Sequence, residues 1–121
     1  MKFMLLVHHD EAAFEKLSEQ TKRDMLADSV ALTHQLHENG QYLNASPLQP
    51  TATATIVRVR DGKHFITDGP FIETREQIAG YFLIETKDIE EAIAIATLVP
   101  GARTGTVEVR PLTEISGLPA N

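Results

Sequence analysis

The chain has 121 residues, 17 acidic against 11 basic, for a formal net charge of −6 at pH 7, and it contains no cysteine. The missing thiols exclude disulfides, thiolate metal sites and cysteine nucleophiles. The acidic balance, with no cluster of Lys and Arg beyond Arg58, Arg60 and Lys63, argues against binding to a phosphate backbone.

This length suits one domain, able to bury roughly two thirds of its unfolded surface without staples. The opening "MKFMLLVHHDE" has an apolar run of only Phe3 to Val7 followed by acids, so it reads as a strand and not as a signal peptide. No run approaches the ~18 apolar residues of a membrane span. A cytoplasmic protein with no membrane and no nucleic-acid partner is expected.

Residues 2–8 carry apolar side chains on both alternating faces, Phe3, Leu5 and Val7 against Met4 and Leu6, the pattern of a strand covered on both sides. Residues 9–17 read as an acidic connection. Ser18 is an N-cap, and a helix runs to about Asn39 with Gly40 at C′; Met25, Leu26, Val30, Leu32 and Leu36 share one broad face. A short strand is predicted over 41–46 and another over 53–60. Asp61-Gly62 then signals a hairpin that returns through Lys63 to Thr67.

After the turn "TDGP", Gln77 to Glu85 form a strand apolar on both faces. Gly80 within it marks a bulge or a close backbone approach. Asp88 caps a second helix with Glu91 at capping-box spacing and Ile89, Ala92, Ile93 and Ala96 facing inward, ended by Pro100-Gly101. A last strand covers 106–112, and 113–121 form a tail after a single domain of residues 1–112.

The order β-α-β-(hairpin)-β-α-β is the α+β, ferredoxin-like βαββαβ plan with an inserted β-hairpin. Two helices cover one face of such a sheet, yet two strands are apolar on both. The bare face would be a large exposed apolar patch. A second copy, sheet against sheet, is its simplest cover, so a homodimer is predicted.

With these elements placed, the chain resembles the DGPF-domain subgroup of the YCII-related family. The resemblance rests on "KFMLLVHHDEA", "GQYLNASPLQPTATATIVRVRDGK", "TDGPFIETREQIAGYFLIE", "DIEEAIAIA" and "GTVEVRPL". It implies a dimeric α+β barrel, relatives among small-molecule enzymes resembling muconolactone isomerases and dehalogenases, and, as an alternative, an accessory or regulatory module associated with an extracytoplasmic-function sigma factor. It also implies a His–Asp pair with the His on the first long helix. Ser29 stands at that position here, so the pair does not carry over unchanged.

The candidate site residues each fit two roles. Asp68, at a strand end, suits a general base or substrate anchor, and equally suits turn chemistry with Gly69 and Pro70. His8 and His9 are adjacent in a strand, so they point to opposite faces and do not share an ion; either can serve as an acid–base group. Ser29 and Thr33 lie on the apolar helix face, where they line a pocket or bond back to the helix. Phe71 and Glu73 follow the turn as substrate contacts, or as a core anchor and a solvated acid. Arg110 and Glu108 alternate with Val107 and Val109; if the valines face the helices, the charged pair faces the barrel side, where it binds a polar ligand, Arg110 as a substrate contact, or pairs across the dimer, and on an edge strand it only guards the edge. His34 and His37 lack a third ligand, so neither a metal nor another cofactor is invoked.

The expected function is small-molecule binding or cofactor-free acid–base catalysis of the isomerase or lyase kind, sited between the sheet and the first helix or at the barrel rim.

Overall fold

The computed structural model of the chain describes residues 1–70 and 72–120. Among them the order is β1 (Lys2–His9), α1 (Glu11–Glu15), α2 (Glu19–Glu38), β2 (Tyr42–Pro47), β3 (Thr55–Arg60), β4 (Lys63–Asp68), β5 (Gln77–Glu85), α3 (Ile89–Ala96) and β6 (Thr106–Pro111). Short 3-10 turns occupy Thr51–Thr53 and Pro100–Arg103.

The main sheet has the order β2-β5-β1-β6 and is antiparallel throughout. The units β1-α2-β2 and β5-α3-β6 interleave in it, which is the ferredoxin-like α+β plan read from the sequence. The inserted hairpin forms a separate two-stranded sheet of β3 and β4. Its turn residues Asp61 and Gly62 have φ of 51° and 75°, the two positive angles of a type I′ turn that matches strand twist.

Phe3 and Leu5 of β1 and Ile84 of β5 are fully buried, and they meet Leu32 and Leu36 of α2 and Ala92, Ile95 and Ala96 of α3. Burying one such large side chain stabilises by about 1.5–3 kcal/mol. Val7, Ala45, Val107 and Val109 pack against the same cluster. The opposite face carries Met4, Leu6, Tyr81 and Leu83, all half-buried.

Local signals set the ends of α2. The Ser18 hydroxyl accepts from the Thr21 N–H at 3.1 Å. At the far end the N–H groups of Gly40 and Gln41 donate to the carbonyls of His37 and Leu36 at 3.1 and 2.8 Å, with Gly40 at φ 71°, a Schellman stop. Asp88 caps α3 by accepting from the Glu91 N–H at 2.9 Å.

Four expectations need correction. The connection after β1 is not merely a loop: Asp10 caps α1 by accepting from the Ala13 N–H at 3.1 Å. The strand read over 53–60 begins at Thr55, because the 3-10 turn takes the residues before it. In α3 it is Ile95 that is buried, at 6% exposure, while Ile89 and Ile93 lie outward at 40% and 48%. Beyond Glu90 and Glu91 every residue of that helix is apolar, so spacing alone cannot choose among its isoleucines. In α2 the apolar stripe is only partly used: Leu32 and Leu36 are buried, but Leu26 and Val30 are 56% and 48% exposed.

Candidate functional site

The unused part of that stripe positions the site. The C-terminal half of α2 seats Leu32 and Leu36 in the core. The stretch of α2 from Lys22 to Thr33 stands over a cavity of about 460 Å³, walled by Met25 and Val30 on the helix side and Ala45 and Phe82 on the sheet side. This is within the ordinary size range of small-molecule pockets.

Gly80 forms part of the floor. A Cβ there would meet the Ser46 carbonyl oxygen at 2.8 Å and Pro47 Cα at 3.0 Å, so β2 approaches β5 closely, as expected for a glycine inside a strand. The β1–β5 register also shifts between Val7 and His8.

Ser29 and Thr33 line the cavity, and both hydroxyls also bond back to the helix. Ser29 Oγ donates to the Met25 carbonyl at 2.9 Å and Thr33 Oγ1 to the Val30 carbonyl at 2.6 Å. The two roles weighed from sequence therefore coexist, and these residues present methylene and methyl surface with a locally satisfied hydroxyl.

The two adjacent histidines separate cleanly. His9 lies on the cavity wall and its ring stacks on Phe14 of α1 with centroids 4.7 Å apart. His8 lies on the other face of the sheet, where its Nε2 is 3.1 Å from Glu108 Oε1. Arg110 holds the other carboxylate oxygen, its Nε at 3.1 Å from Glu108 Oε2. The bonds from Arg110 and then His8 hold the Glu108 carboxyl below the usual carboxylate range.

Helix α1 closes one end of the cavity. Its Glu11 accepts from the Thr51 N–H and hydroxyl at 2.8 and 2.9 Å, and its N–H donates to Gln77 Oε1 at 3.0 Å. These bonds pin α1 to the chain before β3 and to the start of β5. Beyond His9 and Phe14 lies a second cavity of about 250 Å³, which shares His9, Phe14, Leu48 and Ala79 with the first. Lys22 completes this end: its Nζ sits 5.5 Å from the Phe14 ring centroid. Phe14 and Lys22 were not among the sequence candidates. Asp10 before Glu11 offered a capping signal for α1, but nothing local marks Lys22, since a lysine in the first turns of a helix is ordinarily solvated.

The remaining candidates lie elsewhere. Asp68 is exposed at the end of β4, paired in register with Thr55, and is not on the wall of the main cavity. The turn after it is secured by the Gly69 N–H donating to the Ala54 carbonyl at 2.7 Å, with Gly69 at φ 96°. Glu73 is exposed. Phe71 lies outside the described residues. Among the described residues no three His, Asp or Glu side chains gather as a metal set, and no helix is long and apolar enough to cross a membrane.

A four-stranded antiparallel sheet with a ligand-sized cavity beneath its first long helix defines an α+β protein of ferredoxin-like plan. Residues 1–116 match the family model described as YCII-related domain, and the chain belongs to that family. It is also 32% identical over 114 residues to a protein of Rhizobium meliloti (strain 1021) described as uncharacterized protein R00369, covering 93% of this chain and 92% of that one.

Proposed function

We propose that this chain is a homodimeric small-molecule-binding protein of the DGPF subgroup, with its ligand in the cavity between α2 and the sheet. The observation that carries this is the cavity itself: about 460 Å³ of largely apolar space where a helix of this length would otherwise pack. Where the ligand is turned over, His9 is the wall group suited to cofactor-free proton transfer, with Ser29 and Thr33 as the helix-side contacts. The subgroup assignment rests on the stretch "DGPFIETREQIAGY" at 68–81.

Two surfaces support the dimer. The bare sheet face presents Met4, Leu6, Tyr81 and Leu83. The β3–β4 hairpin presents Val57 and Ile66, cross-strand partners that are 63% and 69% exposed. An isolated two-stranded hairpin is marginal in water, so a second copy that covers these side chains stabilises it. In such an assembly Asp68 and Glu73, at the hairpin exit, and His8 and Arg110, on the bare face, lie where two protomers meet. They are proposed as contacts of a separate site at that rim, on the side of the sheet away from the cavity.

Native mass spectrometry of protein purified from cell extract, followed by structure determination of any retained species, tests the binding. Expected is a dimer carrying a small molecule under α2. An empty cavity after broad ligand screening would sink the proposal.

A further inference from the structure

Among the described residues that line the cavity, the basic side chains, His9 and Lys22, are both at its α1 end. On the helix side the Ser29 and Thr33 hydroxyls are committed to carbonyls of their own helix, so that wall offers little to a polar ligand. At the α1 end two basic side chains converge on one aromatic ring. His9 stacks on Phe14 at 4.7 Å, and the Lys22 ammonium lies 5.5 Å from the same ring. The Lys22 side chain is only 19% exposed, although it belongs to the first turns of a surface helix.

We infer that the ligand is a compact apolar carboxylate, its hydrocarbon body under α2 and its anionic head against Lys22 and His9. This rests on the binding function proposed above and names its ligand class. The acids nearby do not fill the role of that head. Glu11 is held by Thr51. Glu15 and Glu19 reach Lys22 at 3.7 and 3.5 Å but are 70% and 78% exposed, and exposed pairs of this kind are weak. The ammonium also donates to the Glu15 carbonyl at 3.4 Å, and its side chain, 19% exposed, keeps a donor for a charge-assisted hydrogen bond to a carboxylate entering from the cavity side. The net charge of −6 repels polyanions, so the local basic pair selects a small monoanion and not a nucleotide or nucleic acid.

The test compares matched acids and amides, phenylacetate with phenylacetamide and hexanoate with hexanamide. Each is titrated into ¹⁵N-labelled protein, with amide shifts of Ser29, Val30 and Ala45 reporting cavity occupancy. Expected is tighter binding of each acid than of its amide by about tenfold or more. Lys22→Met should bring the acid-to-amide affinity ratio to about one, and Lys22→Arg should restore the preference for the acid. The exposed Lys16→Met is the control for net charge. Equal affinity of acid and amide for the wild type would overturn the carboxylate class and leave the cavity function standing. Shifts from none of the four compounds would overturn both. If Lys22→Met fails to fold, the wild-type acid–amide ratio still decides.

Discussion

His8 Nε2 lies 3.1 Å from Glu108 Oε1, a diagonal contact between neighbouring antiparallel strands in which Glu108 stands opposite Leu6. Arg110 grips the same carboxylate from two residues along β6. One acid thus joins an imidazole and a guanidinium on the sheet face that no helix covers.

That contact predicts an acid-sensitive increment of stability. The carboxyl of Glu108 is held below its usual value of 4.5 by Arg110 first and His8 second. A carboxyl whose folded value is depressed contributes stability above the unfolded value and loses it as pH falls through the folded one. Glu108→Gln should therefore melt below the wild type at neutral pH, and the gap should close as pH drops beneath 4.5. A gap that persists unchanged into strong acid would show that the carboxylate charge is not what the site uses.

Gly80→Ala should cost about 1–3 kcal/mol in urea denaturation, the range for forced overpacking. The added methyl would lie 2.8 Å from the Ser46 carbonyl oxygen and 3.0 Å from Pro47 Cα. Both are backbone atoms, so β2 itself must shift. A neutral result would mean that β2 can move away from β5 without loss.

Local chemistry made much of the fold legible. Ser18 and Gly40 bounded α2, Asp61-Gly62 set the hairpin, and the doubled apolar pattern of 77–85 placed a central strand; each signal is complete within a few residues. Helix α1 is only Glu11–Glu15, too short for a 3.6-residue period to declare itself. The choice of Ile95 over Ile93 is tertiary, decided by what lies beneath α3. Of the candidate residues read from sequence, Ser29, Thr33 and His9 line one cavity. Its basic end was not legible, because Lys22, Phe14 and His9 are joined by packing between three elements.

Asp68 separates turn duty from ligand duty in one substitution. Its side chain is exposed and the turn is closed by Gly69 and Ala54. Asp68→Asn should therefore leave stability within about 0.5 kcal/mol of the wild type, as for surface positions in general. Ligand affinity of the dimer is the deciding measurement. A loss at unchanged stability assigns the carboxylate to the rim contact proposed above, and retained affinity with a lowered melting temperature returns it to the turn.

The dimer is tested at Leu6, which is half-buried on the bare face and paired with Tyr81 on β5 and Glu108 on β6. In sedimentation velocity the wild type should run at twice the chain mass, and Leu6→Glu should run as a folded monomer, since a charge buried between two sheets without a partner is costly. A wild type that stays monomeric at high concentration would remove the assembly from the proposal.

Occlusion of the cavity distinguishes a binding site from a packing defect. Ser29 Oγ donates to the Met25 carbonyl at 2.9 Å, and that carbonyl belongs to a continuous helix, so removing the hydroxyl orphans no acceptor. Ser29→Leu places a branched side chain into the space beneath α2. Leucine is the better helix former and buries apolar surface there, so stability should hold or rise by about 0.5–1 kcal/mol. Ligand affinity, measured by calorimetry on the same preparation, should fall by about tenfold or more, because the added volume overlaps the ligand body. A variant that gains stability and loses the ligand locates binding under α2. One that gains stability and binds as before moves the ligand out of this cavity.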